Sequence, residues 1–293
     1  MIWLISCLYP MIKVDLHSHS TISDGLMTPS SLVSHAADQG VQVLALTDHD
    51  DVAGIAEART AAQQHGITLI AGTEISVTWR NRTLHILGLR IDPQHPVLQQ
   101  GLMRVRDSRF GRAQSIAEEL DKIGIQNSLE GARQYASEGI LGRTHFARYL
   151  IAQGHAKDMK TVFKRYLVKG KPGYVPHIWA SLEEALGWIL AAGGLPVIAH
   201  PGRYDLGRTL INELLSEFKQ LGGAGLEVVS GSHHPDQYGQ FADLARQYGL
   251  LASRGSDYHG PGHSYMSMKS LPDLPSQCQP VWHDWEEVLA RVA

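Results

Sequence analysis

Residues 12–19 read Ile-Lys-Val-Asp-Leu-His-Ser-His, a short apolar run that ends in two histidines one residue apart. Residues i and i+2 of a β-strand point to the same side, so His17 and His19 project together from the end of a first strand. Asp15 lies just behind them, and Asp24 follows in a Ser-Asp-Gly turn. One His-x-His pair is weak evidence for a metal site by itself, because polar residues often end strands.

The rest of the chain alternates between strand and helix patterns. Short apolar runs predict seven strands, at Ile12–Leu16, Val43–Thr47, Thr68–Thr73, Leu84–Leu89, Pro196–Ala199, Gly225–Val229 and Leu250–Ser253. Helical periods separate most of them, at Pro29–Gln39, Ala53–Gln64, Leu182–Ala192, Leu210–Leu221 and Asp236–Tyr248. Strands that alternate with helices predict a parallel, barrel-like α/β fold.

A histidine or a carboxylate stands at or near the carboxyl end of six predicted strands. In a βα barrel those ends share one face, where active sites lie, so we expect the side chains to converge. The nine candidate metal ligands are His17, His19, Asp24, His49, Glu74, His85, His200, Asp257 and His259.

Nine ligands exceed the needs of one ion, since zinc takes about four and an octahedral ion about six, some of them water. We therefore expect about two or three divalent ions, with a carboxylate such as Glu74 bridging two of them. Mixed nitrogen and oxygen ligands without thiolate fit Mn²⁺, iron or Zn²⁺.

Composition excludes several classes of protein. The 293 residues are 43% hydrophobic and 19% charged, which is typical of a globular chain. No apolar run reaches the roughly 18–20 residues that span a bilayer. Two cysteines cannot build a disulfide framework or a cysteine zinc site, so we expect a reducing, cytoplasmic location. Residues 1–10 resemble a short signal peptide, but no Lys or Arg precedes their apolar stretch, so we treat them as a tail.

One segment differs in both charge and pattern. Residues 101–180 hold 14 Lys and Arg against 7 Asp and Glu, within a chain whose net charge is −3. Residues 94–180 have no convincing strand and show helical periods at Leu102–Ile123, Ser128–Ser137, His145–Gln153 and Met159–Leu167. We therefore predict a barrel from 1–93 and 181–293, and an inserted basic helical subdomain, the cap, at 94–180.

The cap contains candidate phosphate ligands. Arg109 and Arg112 are three residues apart on a predicted helix, so they share a face and could grip one phosphate, although a solvated face explains them equally well. Arg143 and Thr144 open the helix that includes His145, and the free N–H groups of a helix N-terminus beside an arginine make an anion site.

The motifs Asp15–His19, Thr47–Asp50, His200-Pro201 and Ser256–His259 together resemble the PHP (polymerase and histidinol phosphatase) superfamily of metal-dependent phosphoesterases. The resemblance covers about 12–93 and 180–260 and implies a distorted (βα)7 barrel. It also implies that all nine candidates are ligands. The implied sets are His17, His19, Glu74 and Asp257 for one ion, Asp24, His49 and His259 for a second, and Glu74, His85 and His200 for a third.

Three further stretches, 143–148, 169–176 and 199–204, resemble the branch that contains nucleoside 3′,5′-bisphosphate phosphatases and the 5′→3′ exoribonuclease RNase AM. The implied activity is hydrolysis of nucleotide bisphosphates and of 5′-phosphorylated RNA, by attack of a metal-activated hydroxide on phosphorus. Mn²⁺ is the implied metal, and Glu74, His85 and Asp257 are the implied catalytic residues. The expected substrate-binding residues are Asp50, Arg109, Arg112, Arg143, Thr144 and His145.

Several alternatives remain open on the sequence. Another phosphatase of the superfamily, such as one for histidinol phosphate, would use the same ligands. A degenerate, non-catalytic module would have lost several ligands, whereas all nine are present. Asp15 and Asp48 either orient ligand imidazoles or cap turns. The general acid is a metal-bound water, Asp50 or a histidine of the cap.

Overall fold

The strands form a nearly closed barrel in a computed structural model that describes residues 12–136 and 141–291. They are β1 (Val14–Asp15), β2 (Val43–Leu46), β3 (Thr68–Trp79), β4 (Arg82–Leu89), β5 (Leu195–Ile198), β6 (Gly225–Ser230) and β7 (Leu251–Gly255). Each strand pairs with its neighbour in chain order. Leu16 N donates to Arg254 O at 3.0 Å, which joins the first strand region to the last. The distorted seven-stranded barrel expected from the sequence is confirmed.

The expectation of an all-parallel sheet is wrong for β4, which runs antiparallel to both β3 and β5. Only Arg80 and Asn81 connect β3 to β4, and both have positive φ, 45° and 61°. Two such residues form a tight hairpin turn, which is too short for the crossover that parallel strands need. The reversal places the first half of β4 at the rim where the parallel strands end, so His85 lies opposite Ser76 of β3.

The helices cover the outside of the barrel and build the cap. They are α1 (Pro29–Asp38), α2 (Ile55–His65), α3 (Pro96–Asp121), α4 (Ser128–Arg133), α5 (Arg143–Ala152), α6 (Met159–Val162), α7 (Leu182–Ala191), α8 (Arg208–Gln220), α9 (Pro235–Tyr248) and α10 (Glu286–Leu289). A π-helical turn, Phe163–Leu167, continues α6. Ser181 and Glu184 form the capping box that begins α7. The predicted tail 1–10 and the last residue of the predicted helix Ser128–Ser137 lie outside the described residues.

Alternate residues of the strands fill the barrel interior. Val43 and Ala45 of β2 belong to a hydrophobic cluster inside the barrel, which we call the interior cluster. Leu44 and Leu46 belong to a second cluster, between the strands and the helices outside. The C-terminal segment adds Val281, Trp285 and Val288 to that interior cluster. Interior positions near the carboxyl ends of the parallel strands carry polar side chains. The apolar interior cluster therefore lies directly beneath these polar side chains.

The described part of the cap has a hydrophobic core of its own. This cluster is separate from those of the barrel and includes Phe146 and Leu150 of α5. α3 connects the two regions, since Leu102 packs in the barrel cluster and Ile116 in the cap cluster. No helix among residues 12–136 and 141–291 combines the length and the apolar character that crossing a bilayer requires.

Candidate metal centre and substrate cavity

The nine predicted ligand side chains come together at the rim of the barrel, and we call them the rim cluster. Eight of them form three overlapping groups in which the potential ligand atoms lie within 4.8 Å of one another. The groups are His19, Asp24, His49 and His259; His17, His19, Glu74 and Asp257; and His49, Glu74 and His85. The ninth residue, His200, has its Nε2 2.9 Å from Glu74 Oε1.

Glu74 is the centre of this arrangement and is fully buried. Its Oε1 lies 2.9 Å from His85 Nδ1 as well as from His200 Nε2. Its Oε2 lies 2.9 Å from His49 Nδ1 and 3.4 Å from His17 Nε2. His19 Nε2 also lies 3.4 Å from Oε2, so five imidazoles surround one carboxylate, which has the position that a ligand shared between ions requires.

The donor atoms of the rim cluster fit divalent cations. His17 Nε2 and His19 Nε2 face each other at 3.1 Å. Among the described residues, Glu74 Oε2, His49 Nδ1 and Asp24 Oδ1 are buried and make no hydrogen bond of normal geometry. Glu74 Oε2 and His49 Nδ1 nevertheless lie only 2.9 Å apart, and Asp24 Oδ1 lies 3.1 Å from His259 Nε2. Buried polar atoms are normally paired, so convergent unpaired nitrogen and oxygen atoms are explained by a cation that binds them. Imidazole and carboxylate without thiolate suit manganese, iron or zinc.

Electrostatics set different protonation states for the candidate ligands in the metal-free protein. Burial acts to raise the pKa of Glu74, but the histidines around it outweigh this effect and hold the pKa well below its usual range. Burial lowers the pKa of His19 and of His200 to about 3, so both imidazoles are neutral at pH 7. Burial opposes protonation of His259, but Asp24 and Asp257 prevail and raise its pKa to about 9.

The backbone is strained where it positions the site. Asp50, His200 and Asp257 have positive φ angles of 49°, 27° and 55°. Each such residue costs about 1–3 kcal/mol, and strain of this kind concentrates at functional sites. Gly255 is needed for close packing, because a Cβ there would lie 2.2 Å from the Cβ of His17.

Glu227 of β6 belongs to the site and was not predicted from the sequence. It is fully buried, its Oε1 lies 3.1 Å from His17 Nδ1, and its Oε2 accepts from His200 N at 2.6 Å. A carboxylate at Nδ1 keeps the proton there and directs Nε2 of His17 into the rim cluster. The available signal was a single acid inside the apolar run Gly225–Val229.

Asp15 and Asp48 hold backbone and hydroxyl groups. Asp15 Oδ1 accepts from the main-chain N of His17 and of Ser256. Asp48 accepts from Ser20 N, from Ser20 Oγ and from Ser23 Oγ, at 2.7–2.8 Å. The turn-capping alternative therefore describes Asp15, whereas Asp48 caps a turn and also reaches an imidazole through Ser23, whose Oγ lies 3.5 Å from His19 Nδ1.

A cavity of about 1000 Å³ opens above the rim cluster. The barrel contributes His49, His85 and Asp257 to its lining. The cap contributes the opposite side, which is rich in cations: Arg109, Arg112, Arg143, Arg148, Lys160 and Lys164. The candidate metal ligands and a cationic surface thus face the same space.

The Arg109 guanidinium of the cap binds the Asp50 carboxylate of the barrel. Its Nε donates to Asp50 Oδ2 at 2.7 Å, its Nη2 contacts the same carboxylate, and Nη2 also donates to Ser76 Oγ at 2.7 Å. Asp50 is fully buried and also accepts from Ser76 N, so it supports the guanidinium without lining the cavity. The ring of Trp179 packs under Arg109 and Arg112, 4.5 and 5.3 Å from their guanidinium carbons.

Arg112 donates to Val175 O at 3.2 Å, and Arg143 donates to Leu167 O at 3.4 Å. Within the described part of the chain, these main-chain carbonyls are the only hydrogen-bond acceptors of the two guanidinium groups. Burial lowers the pKa of Arg112 to about 10, and repulsion from Arg143 and Arg109 adds to this effect. Like charges held together in a half-buried cavity favour the binding of an anion.

The start of α5 lies beside the rim cluster. Gly142 N donates to His145 Nδ1 at 3.0 Å, and burial lowers the pKa of His145 to about 4. Thr144 Oγ1 donates to Asp24 Oδ2 at 3.1 Å. Arg203, which the sequence analysis did not select, lines the cavity with its Nη1 3.0 Å from Asp257 Oδ2.

Comparisons with known proteins agree with this geometry. The PHP domain profile matches residues 15–230. The chain is 48% identical to a 3′,5′-nucleoside bisphosphate phosphatase from Chromobacterium violaceum, over 97% of this chain and all of the relative. It is 44% identical to the 5′-3′ exoribonuclease Rnm of Escherichia coli, over 93% of this chain and 94% of that one.

Solved structures show the same fold. One is an amidohydrolase from Chromobacterium violaceum with sulfate bound and no metal, which superposes with a TM-score of 0.90 at 48% identity and covers 96% of this chain and 97% of its own. Another, from Bifidobacterium adolescentis and described as a metal-dependent phosphoesterase, has a TM-score of 0.80 at 27% identity, with 97% and 96% covered.

Proposed function

The chain belongs to the PHP domain family, and on this basis we propose that it hydrolyses phosphoesters of nucleoside 3′,5′-bisphosphates and of RNA that carries a 5′ phosphate. One observation supports the proposal most: three overlapping groups of candidate metal ligands lie beside a cavity lined by cap arginines. The activities named for the two curated relatives support the same substrate class.

The rim cluster holds the metal in this proposal. The ligand sets are His17, His19, Glu74 and Asp257 for one ion, Asp24, His49 and His259 for a second, and Glu74, His85 and His200 for a third. When bound, divalent ions at such a site supply a nucleophile from water at neutral pH and neutralise charge on the phosphoryl group. Mn²⁺ is the metal that we propose, and Zn²⁺ or iron would use the same donors.

The protein residues prepare this centre. Glu227 holds His17 in the tautomer that directs Nε2 to an ion. Glu74, His85 and Asp257 are our candidates for the residues nearest the reacting phosphate, because His85 and Asp257 line the cavity and Glu74 joins the ligand groups. Arg203, paired to Asp257 on one side, presents its guanidinium to the same phosphate.

The cap recognises the second phosphate of the substrate. A nucleoside 3′,5′-bisphosphate has two phosphates, and RNA with a 5′ phosphate has the same two positions on its first nucleotide. Guanidinium groups bind phosphate through charge-assisted hydrogen bonds, so Arg109, Arg112 and Arg143 hold one phosphate while the other lies at the rim cluster. Thr144, His145 and Asp50 complete this side, with Asp50 acting through Arg109. We further propose that the protein works on nucleotides in the cytoplasm.

Hydrolysis by metal-free protein reloaded with Mn²⁺ tests the proposal, measured as phosphate release for the small substrates and as chain shortening for RNA. The substrates are adenosine 3′,5′-bisphosphate, histidinol phosphate and a short 5′-phosphorylated RNA. We expect turnover of the bisphosphate and stepwise shortening of the RNA from its 5′ end, both lost with a chelator. Turnover of histidinol phosphate alone would contradict the substrate assignment and retain the metal chemistry.

A further inference from the structure

The loop that carries Asp24 is held from the cap as well as from the barrel. Gly25 N donates to Ser20 O at 2.9 Å, and Leu26 N donates to His259 O at 2.8 Å, which ties the loop to the barrel. Two contacts come from the cap helix α5. Thr144 Oγ1 donates to the Asp24 carboxylate at 3.1 Å, and Arg148 Nη2 donates to the Asp24 carbonyl at 2.6 Å.

The two cap residues act from one face of α5, since they are four positions apart on the helix. Thr144 binds Asp24 Oδ2 and so leaves Oδ1 directed at His259 Nε2, 3.1 Å away. Arg148 fixes the main chain of the same residue, and its guanidinium is half-buried. Together they restrain both the backbone and the side-chain torsions of one rim-cluster carboxylate.

This connection is polar, whereas the interior of the cap is packed from apolar side chains. The cap cluster around Phe146 and Leu150 is separate from the barrel clusters, and α3 is the helix that enters both. The two hydrogen bonds to Asp24 therefore connect α5 to the barrel at the candidate metal site itself. The position of α5 and the position of Asp24 cannot change independently while these hydrogen bonds persist.

We propose that Thr144 and Arg148 are positioning residues that hold Asp24 for its ion, so that metal binding and cap placement are coupled. The inference rests on the proposed function for the assignment of Asp24 as a ligand. It adds a role for the cap in assembling the metal centre, beyond contact with substrate. Because coupling is reciprocal, an ion bound at Asp24 also stabilises the docked position of α5.

Titration of metal-free protein with Mn²⁺ alone tests the coupling, with free ion followed by its paramagnetic resonance signal. The variants are Thr144→Val, which removes the hydroxyl at constant shape, and Arg148→Met, which keeps the aliphatic stem. Loss of such outer contacts typically weakens metal affinity about 10–100-fold, and we expect this weakening for one ion of the set. Thr144→Ser should restore the affinity, and Arg165→Met, at an exposed arginine of the cap, should leave it unchanged.

Hydrogen exchange provides a second measurement that does not depend on activity. We expect Mn²⁺ to slow exchange along α5 in the wild type and to do so much less in Thr144→Val. Variants that fold normally and bind every ion as tightly as the wild type would overturn the coupling. A wild type that shows the coupling but releases no phosphate from adenosine 3′,5′-bisphosphate would contradict the proposed function and leave the coupling supported.

Discussion

The rim cluster and the arginine side of the cavity are built in different ways. His17, His19 and Glu74 are fully buried, come from strands or strand ends, and touch one another through several short contacts. Arg112 and Arg143 come from helices, are partly exposed, and bind main-chain carbonyls. A buried, cross-connected cluster is suited to precise chemistry, whereas an exposed cationic surface is suited to recognition. Perturbations should therefore separate turnover from substrate binding.

The largest effect is expected from Glu74→Ala, because this carboxylate contributes to two of the ligand groups. Turnover should fall by about 10³-fold or more, which is about 4 kcal/mol of transition-state stabilisation. The measurement is kcat on adenosine 3′,5′-bisphosphate with saturating Mn²⁺. Glu118→Ala, at an exposed acid of α3, is the matched control and should retain wild-type activity. Near-normal turnover in the Glu74 variant would contradict the metal assignment.

A smaller effect is expected from Glu227→Gln, which keeps an acceptor for His200 N and removes the negative charge from His17 Nδ1. Metal affinity should weaken about 10–100-fold, as for other carboxylates behind a ligating histidine. Excess Mn²⁺ should then recover most of the activity. The Mn²⁺ concentration at half-maximal activity checks this prediction. An unchanged metal requirement would mean that Glu227 has only a packing role.

Arg112→Ala should affect the other region and leave the chemistry intact. A charge-assisted hydrogen bond is worth about 1.5 kcal/mol or more, so KM for the bisphosphate should rise about tenfold. Hydrolysis of p-nitrophenyl phosphate, which has no second phosphate, should be unaffected. Lys122→Ala, at an exposed lysine of the cap, is the control. An equal loss of activity on the bisphosphate and on p-nitrophenyl phosphate would contradict a role for Arg112 in binding the second phosphate.

The smallest effect is a pH dependence of stability in the metal-free protein. The pKa of His259 is raised to about 9 by Asp24 and Asp257 against the effect of burial, compared with about 6.5 unfolded. Its contribution to stability is therefore complete below pH 6.5 and is lost as pH rises through 9.

Between pH 7 and pH 8 the loss should be about 1 kcal/mol, measured by denaturant unfolding. Saturating Mn²⁺ should abolish the loss, because a metal ligand must be deprotonated. A metal-free protein whose stability stays constant between pH 7 and pH 8 would contradict this assignment of charge.

The rim cluster could be predicted from the sequence because side chains alternate between the two sides of a strand. His17 and His19 need only the two-residue period to share a side, and a barrel brings the ends of all strands together. Glu227 could not be predicted as part of the site, because one acid within an apolar strand does not indicate which groups it will bind. The hairpin at Arg80 and Asn81 was also not predicted, because neither residue is the glycine that usually marks such a turn.

The cap was predictable as a basic helical segment, but its contacts were not. Arg109 pairs with Asp50, which is 59 residues away, and Arg148 reaches the Asp24 carbonyl across 124 residues. No periodicity encodes which arginine meets which loop, because the pairing depends on how α3 and α5 pack against the barrel. The same limit applies to Thr144, whose hydroxyl could be assigned to Asp24 only from the structure.

Anomalous diffraction at the manganese edge, from crystals of active protein grown with Mn²⁺, would show whether the rim cluster is the metal centre. We expect manganese peaks within bonding distance of Glu74 and between Asp24 and His259. Crystals of active enzyme with manganese bound elsewhere, and no peak in the rim cluster, would contradict this assignment.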